Sequence, residues 1–594
     1  MYAFYKRHEY LFVALFVLIA QAPLLFMTND FYPDTDNYTH ARRVLDFLMS
    51  KTWAETPYMH SNYPFGEVLH FTRITDLLWI LFTLPLMPFM ALKDAVFYGG
   101  YVYQAGMLVL SALSLVWGAK PLCGPIVRLI GVCLFFVQPS VSETYIFIKP
   151  DHHVLVAFLT FLTVGGLIRA VIDKQASAAK TAGIAAALCL WASVEGVLIY
   201  YGLLASLALL YVVGRAEIKT ISVFCMTAFF TALACLVVNP PFEGFFNPDN
   251  GRLSFLTVSA WGLTAVAMAI AAEWDGRGKS ATPWRKLSVL TVLAAAFGGL
   301  LLAVFSPSVV FAPHFPDIIN EIWAKDIAEL QPVTKEPLIF FLGAFPSVLA
   351  LLVGAAVYKI CPEKQRAVLV LVAVPLLSLT GLAMTVIRYS RLSSLFSPYV
   401  FMAAFSLRAD KYVCSERKRG AFLWGVYVLF ALYLGANYYS VRYAMGLRRP
   451  PFNLVKPYLP AGEGSVLSDT SSGPEIIWKL DEKVIGTPYH RNIEGIVDDY
   501  IALFSNNPDE MVAMLKKHRV KAILIYAELP GQPTLFYDMR YRYAFFENAD
   551  KTDTLMLKIV SNKDLPCGVT EELNTPAPFL LYTVDLSKCS NKAE

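Results

Sequence analysis

The 594-residue chain is 56% hydrophobic with a mean hydropathy of +0.50. Only 16% of its residues are charged, against ~25% in a soluble domain, which excludes an ordinary soluble enzyme and places it among polytopic membrane proteins. The net charge of +4 provides no strongly basic face, so nucleic acid is excluded as a partner.

Taken in chain order, the first apolar run is Tyr10 to Met27. It is long and no small-residue cleavage site follows it, so it reads as a retained anchor. Further runs of spanning length, ~20 residues, lie near 97–118, 121–139, 153–173, 179–195, 196–214, 219–239, 253–273, 285–311, 338–358, 366–386, 391–408 and 421–440. A shorter run, Leu77 to Leu92, contains Pro85 and Pro88 and follows a polar stretch.

Charge placement decides that run, because cytoplasmic loops carry the excess of Lys and Arg. With Lys6 and Arg7 inside and 77–92 not crossing, the inside loops hold Lys120, then Arg169 with Lys174 and Lys180, then Arg215 with Lys219. Further on they hold Arg277, Lys279, Arg285 and Lys286, then Lys359, Lys364 and Arg366, and finally Arg408 through Arg419. A crossing at 77–92 inverts every one of these. The expected architecture is therefore mostly α, a polytopic protein of about thirteen transmembrane helices. It has a long first external loop at 28–96, another at 312–337, and an external C-terminal region.

The pattern changes near 450. Short apolar runs, Ser465–Leu467, Lys483–Ile485, Ala522–Tyr526 and Thr554–Ile559, flank helical stretches near 474–480, 493–504 and 508–518. That alternation predicts a small soluble α/β domain over 450–594, after a transmembrane domain over 1–449. Cys567 and Cys589 both fall in this external region. They are either paired, as an oxidising compartment permits, or two free thiols, since spacing does not fix geometry.

The same topology places four polar sites on one side of the membrane. They are Asp34 with Asp36; Asp151-His152-His153; Glu329; and Arg388 with Arg391. Hard divalent ions such as Mg²⁺ and Mn²⁺ favour carboxylate oxygens, and Mn²⁺ also accepts imidazole. Asp36, Asp151 and His153 suit such an ion. An arginine would grip phosphate oxygens in a bidentate manner, and Asp34 or Glu329 would act as a base or orient an acceptor. Each residue also has a plainer reading. The acids are solvated, the arginines are interfacial anchors that snorkel, and Glu195 caps a helix or lines a cavity. The adjacent histidines point in different directions on a helix, so at most one of them serves as a ligand.

In layout and in short motifs the chain resembles the single-subunit oligosaccharyltransferases of the GT-C class. Asp36-Asn37-Tyr38, with Ala41 and Asp46, is similar to that family's first acidic motif. Asp151-His152-His153 is similar to its second, whose first and third residues bind metal. Glu329-Leu330-Gln331-Pro332 is similar to its glutamate motif, and Arg391-Leu392, with Pro398 seven residues on, to its lipid-pyrophosphate arginine, Arg388 being a close competitor. The family's Trp-Trp-Asp motif, which reads the acceptor sequon, is absent. The comparable stretch is Ser468-Asp469-Thr470-Ser471-Ser472-Gly473-Pro474-Glu475.

The resemblance implies a metal-assisted glycosyltransferase acting on the periplasmic side of a bacterial inner membrane. It would move a sugar or oligosaccharide from a polyprenyl-phosphate or polyprenyl-pyrophosphate carrier to a protein, lipid or glycan acceptor. Asp36 and Glu329 would be catalytic, and Asp36, Asp151 and His153 would hold Mg²⁺ or Mn²⁺. Arg391 or Arg388 would bind donor phosphate. Asp34, Asp469, Tyr489, His490 and Arg491 would meet the acceptor, Asn492 otherwise being a plain helix cap. Two alternatives remain: a single-sugar transferase modifying lipid A or an envelope polysaccharide, and a lipid-linked sugar transporter. Transporters place polar residues at the midplane, often with repeated topology. Here the acids fall at span ends and no repeat is visible.

Overall fold

The structure, a computed structural model, describes residues 2–25, 32, 34–145, 149–278, 282–311, 317–324, 327–335, 337–412, 425, 452–529, 532–533, 554–561, 565–576 and 579–589. It divides into two compact units. The first, helical unit takes 1–31, 71–312 and 329–443; the second takes 32–70, 313–328 and 444–594. The second unit thus draws in two segments that the sequence reading assigned to external loops.

Among the described residues of the helical unit, six helices are long and apolar enough to cross a membrane. They are Leu92–Ala119, His152–Ile172, Ile218–Val238, Phe255–Gly276, Pro283–Phe305 and Glu363–Thr385. Shorter apolar helices underlie other expected runs, among them Glu9–Leu25, Pro125–Val137, Ala176–Ala192 and Gly196–Val212. The run 421–440 lies, residue 425 apart, outside the described residues. The run 338–358 is two helices, Pro337–Gly343 and Phe345–Tyr358, with Ala344 between them. In the Leu77–Leu92 run the helix Arg73–Thr83 has 11 residues. At 1.5 Å per residue it rises ~16 Å, too short for a ~30 Å hydrocarbon core. Helix Pro283–Phe305 buries none of its residues, and beyond Arg285 and Lys286 its largely apolar surface suits lipid.

Close backbone approaches pack these helices against one another. Gly118 and Gly165 face each other so tightly that a Cβ on either would strike the other's Cα. This locks helix His152–Ile172 against Leu92–Ala119. Gly202 packs on Pro375, a Cβ there lying 3.0 Å from the proline Cβ, and so seats helix Glu363–Thr385 against Gly196–Val212. Arg128 and Glu9 form a buried bidentate pair, Nε–Oε1 2.8 Å and Nη2–Oε2 2.7 Å, that ties Pro125–Val137 to the first apolar helix.

The second unit is a mixed sheet with flanking helices. Its strands are β1 (Ser465–Leu467), β2 (Lys483–Val484), β3 (Val520–Leu529), β4 (Gln532–Pro533), β5 (Val569–Glu571) and β6 (Phe579–Val584). The order is β2-β1-β3-β6-β5, with β4 beside β3. β1 runs parallel to β2 and β3, while β6 runs antiparallel to β3 and β5. Helices Gly473–Leu480, Ile493–Phe504 and Pro508–Lys517 match the expected stretches.

Thr554–Ile559 departs from expectation: it belongs to helix Leu555–Ser561 rather than to a strand. Its buried residues Leu555, Met556 and Ile559 recur at i, i+1 and i+4, one face of a helix. Strands β5 and β6 had no clear signal. Cys567 and Cys589 are paired, which decides between the two sequence readings and ties the start of β5 to the turn after β6.

Candidate active site

The site is clearest in the helical unit, where each polar side chain sits at a helix end. Asp151 caps helix His152–Ile172 and accepts from the His152 backbone N–H. Tyr103 donates to the Asp151 carbonyl at 3.2 Å. Asp151, His152 and His153 are all buried. His152 Nδ1 is 2.5 Å from Asp151 Oδ1, and His153 Nε2 is 3.7 Å from Asp151 Oδ2. The two imidazole centroids are 4.1 Å apart. The expected divergence of the histidines therefore does not occur: at the first turn of the helix both rings gather about one carboxylate.

Glu195 occupies the N-cap position of helix Gly196–Val212, but its side chain makes no capping hydrogen bond, which leaves the carboxylate for other partners. It is buried. Its Oε1 lies 3.3 Å from Arg388 Nε, and its Oε2 lies 3.9 Å from His153 Nδ1. No hydrogen bond reaches that Oε2 or that Nδ1 among the described residues. Sequence reasoning noted Glu195 without giving it a part in the site. The signal that could have found it is an acid between two apolar helices where membrane burial penalises an acid.

Arg388 and Arg391 follow the end of helix Glu363–Thr385. The segment carrying Glu329 is pinned there by backbone bonds from Ile387 to Gln331, 3.1 Å, and from Val333 to Met384, 3.1 Å. Arg391 Nη2 then meets Glu329 Oε2 at 2.6 Å, and Arg388 Nη1 lies 3.9 Å from Glu329 Oε1. Arg391 also donates to the Arg388 carbonyl at 3.2 Å. Buried serines fix the rest of the turn: Ser394 with Ser140 at 2.8 Å, Ser393 with Ser347 at 2.7 Å, and Ser397 donating to Gln138 at 2.8 Å.

Burial pushes the Glu329 carboxyl up, but the charges of Arg391, Arg388 and Lys149 outweigh it and hold it below its usual value. Its side chain is nevertheless half exposed, at 48%, so the pair has one desolvated member, Arg391, and one open to solvent. Arg391 is buried, and Glu329 is its direct carboxylate partner. Tyr145, unmarked by sequence reasoning, is buried beside Arg391, its hydroxyl without a hydrogen bond among the described residues.

The remaining sequence candidates belong to the α/β unit. Asp34 is the N-cap of helix Thr35–Ser50 and accepts from the Asp36 N–H at 3.2 Å; Asp36 stands in the first turn. Burial, then the Asp36 charge, raises the Tyr489 hydroxyl well above its usual value. Asp469 accepts from the Ser472 N–H at 3.0 Å and from its hydroxyl at 2.5 Å, so this carboxylate shapes its own turn. The His490 ring lies 4.8 Å from that of His70, tilted by 42°, and Arg491 is half-buried. Asn492 does cap helix Ile493–Phe504, accepting from Gly495 N–H at 3.1 Å, while its amide donates to Ser61 at 2.9 Å.

No protein-family description matches the sequence, and no curated protein does. Solved structures do match in fold. An oligosaccharyltransferase of Archaeoglobus fulgidus, tethered to an acceptor peptide containing the NVT sequon, superposes with TM-score 0.69. It is 15% identical over 98% of this chain and 75% of that one. The archaeal oligosaccharyltransferase AglB from the same organism, in complex with an inhibitory peptide and a dolichol-phosphate, gives 0.65 at 16% identity, over 88% and 69%. A third Archaeoglobus fulgidus oligosaccharyltransferase structure, a complex with Zn and sulfate, gives 0.64 at 14% identity, over 97% and 73%. The chain has the fold of these GT-C membrane glycosyltransferases.

Proposed function

We propose that the chain is a glycosyltransferase that moves a sugar or oligosaccharide from a polyprenyl-(pyro)phosphate carrier to an acceptor, on the periplasmic face of a bacterial inner membrane. One observation carries this reading. The buried Arg391, with Arg388 beside it, presents guanidinium donors at the same helix ends that hold Asp151, His153 and Glu195. A lipid-linked phosphate brings two features that such a group recognises, a compact anion and an apolar tail that stays in the bilayer. The arginines would hold the phosphate oxygens by charge-assisted hydrogen bonds as the bond to the sugar breaks. Glu329, already on Arg391, would give way to the phosphate or orient the acceptor.

The residues fit a divalent ion. Asp151 Oδ2 and His153 Nε2 stand 3.7 Å apart, ~0.7 Å more than neighbouring ligands of an octahedral ion at ~2.1 Å, so a small closing motion would bring both onto one ion. An oxygen and nitrogen donor set suits Mn²⁺, and Mg²⁺ through its carboxylate. Asp36 keeps the metal- and acceptor-binding role that the resemblance implies. When bound, the ion supplies positive charge that stabilises the leaving phosphate. This chain's own residues would position both reactants, with Tyr103 holding the Asp151 backbone through its carbonyl. The Trp-Trp-Asp motif being absent, the acceptor proposed is not an asparagine in a sequon read by that motif.

The test replaces Asp151→Ala in the living host and compares protein, lipid and glycan fractions of the envelope by mass spectrometry. The expected outcome is loss of one glycoconjugate, as in a gene deletion. Unchanged glycosylation in every fraction would sink the enzyme reading.

A further inference from the structure

We infer that Glu195 is a positioning residue for His153, holding that imidazole by its Nδ1 so that Nε2 faces the ion site shared with Asp151. The inference rests on the proposed metal site and adds a residue to it. His153 shows its two nitrogens to two different acids: Nε2 lies 3.7 Å from Asp151 Oδ2, and Nδ1 lies 3.9 Å from Glu195 Oε2. The ring nitrogens point in opposite directions, so one ion cannot take both. A neutral imidazole has one N–H and one lone pair, and the partner of the first decides where the second points. With Nδ1–H directed at Glu195, the lone pair on Nε2 is directed at Asp151. This is the carboxylate–histidine–metal arrangement, in which a carboxylate behind the ring fixes its tautomer and raises its basicity.

Three features set Glu195 apart from a plain ion pair. Glu195 and His153 are both more than nine-tenths buried, and neither Oε2 nor Nδ1 makes a hydrogen bond among the described residues. Buried polar atoms without partners are costly, so the pair is poised to join once an ion pulls on the ring. An approach of ~1 Å makes the bond. The other oxygen, Oε1, is engaged by Arg388 at 3.3 Å, which orients the carboxylate with Oε2 toward the histidine. Arg388 in turn lies 3.9 Å from Glu329. Glu195 therefore links the ion's histidine to the phosphate-binding arginines, and a shift on one side is felt on the other.

The test uses the purified full chain in nanodiscs with Mn²⁺ as the probe. Free Mn²⁺ is titrated by electron paramagnetic resonance for the natural protein, Glu195→Gln, His153→Ala and the double variant, and thermal melting confirms that each is folded. Glu195→Gln should weaken Mn²⁺ binding ~10–100-fold and change the ¹⁴N modulation from the bound imidazole. In the His153→Ala background the same substitution should change affinity less than ~2-fold, because residues acting through one another are not additive. Glu195→Gln with natural affinity and natural ¹⁴N modulation would overturn the inference and leave the metal site standing. So would a full additive loss in the His153→Ala background. A natural protein that binds no Mn²⁺ would take down both the inference and the metal site. If Glu195→Ala, tried alongside, fails to fold, the Gln variant still decides.

Discussion

The two units use the same residue types to opposite ends. In the α/β unit, His518 is buried between the Tyr63 carbonyl, 2.7 Å from Nδ1, and Asp498 Oδ2, 2.7 Å from Nε2, and Lys517 adds a third bond at 2.6 Å. Both ring nitrogens are at hydrogen-bond length and the carboxylate is shared by two donors. In the helical unit His153 likewise lies between two oxygens, but at 3.7 and 3.9 Å. The first arrangement is complete and serves stability. The second leaves both ring nitrogens of His153 short of hydrogen-bond contact with these acids. An inventory of acids and histidines would rate the two alike; the distances separate them.

The sharpest way to break this contrast is at the arginines. Arg391→Ala should lower transfer by ~10²–10³, the loss seen when one preorganised charge-stabilising donor is removed, measured as turnover of lipid-linked donor in membranes. A smaller effect would mean that Arg388 carries the phosphate.

The α/β unit should instead answer to pH. Burial raises the Glu67 carboxyl to about 8, against hydrogen bonds from Thr487 and Ser61. A folded-state value above the unfolded one gives stability that is complete below ~4.5 and lost as pH rises through about 8. Glu67→Gln should remove that slope, a change on the order of a few kcal/mol between pH 5 and 9, read by denaturant unfolding.

Asp498 has the opposite sign. Burial raises it, but bonds from His518 and Lys517 outweigh burial and hold it below its usual value. Its contribution is present above ~3.8 and lost as pH falls through the folded value. Asp498→Asn should cost ~1–3 kcal/mol at pH 7 and leave transfer per folded molecule within ~2-fold. A large loss of transfer would mean that this triad is not merely structural.

Much of the helical site was legible in the sequence because membrane topology does part of the work. Basic loops sort every polar segment to one side or the other, so Asp151, Glu329 and Arg391 were grouped by parity before any contact was known. What topology does not give is distance. Glu195 was read as a cap or a cavity-lining acid, and only coordinates show its Oε2 turned to His153. The two histidines were expected to diverge by helical rotation, yet the first turn allows both to gather on the capping aspartate.

In the α/β unit, strand β1 and the three helices were visible as short blocks with caps such as Asn507, which accepts from Asp509 N–H at 3.1 Å. Thr554–Ile559 was misread because a short apolar run has no decisive period. The membership of 32–70 in this unit was not legible, since those residues join it through sheet-edge backbone bonds such as Asn62 N–H to Ile485 O, 3.0 Å, and Val484 N–H to His60 O, 2.8 Å.

The central claim is that the charged end of the helical unit grips a lipid phosphate. Binding of undecaprenyl phosphate to the purified full chain, followed by native mass spectrometry, tests it most directly. The natural protein and Asp498→Asn should bind alike, and Arg391→Ala should lose at least ~10-fold in affinity, about 1.4 kcal/mol. Equal binding by the natural protein and Arg391→Ala would contradict the account.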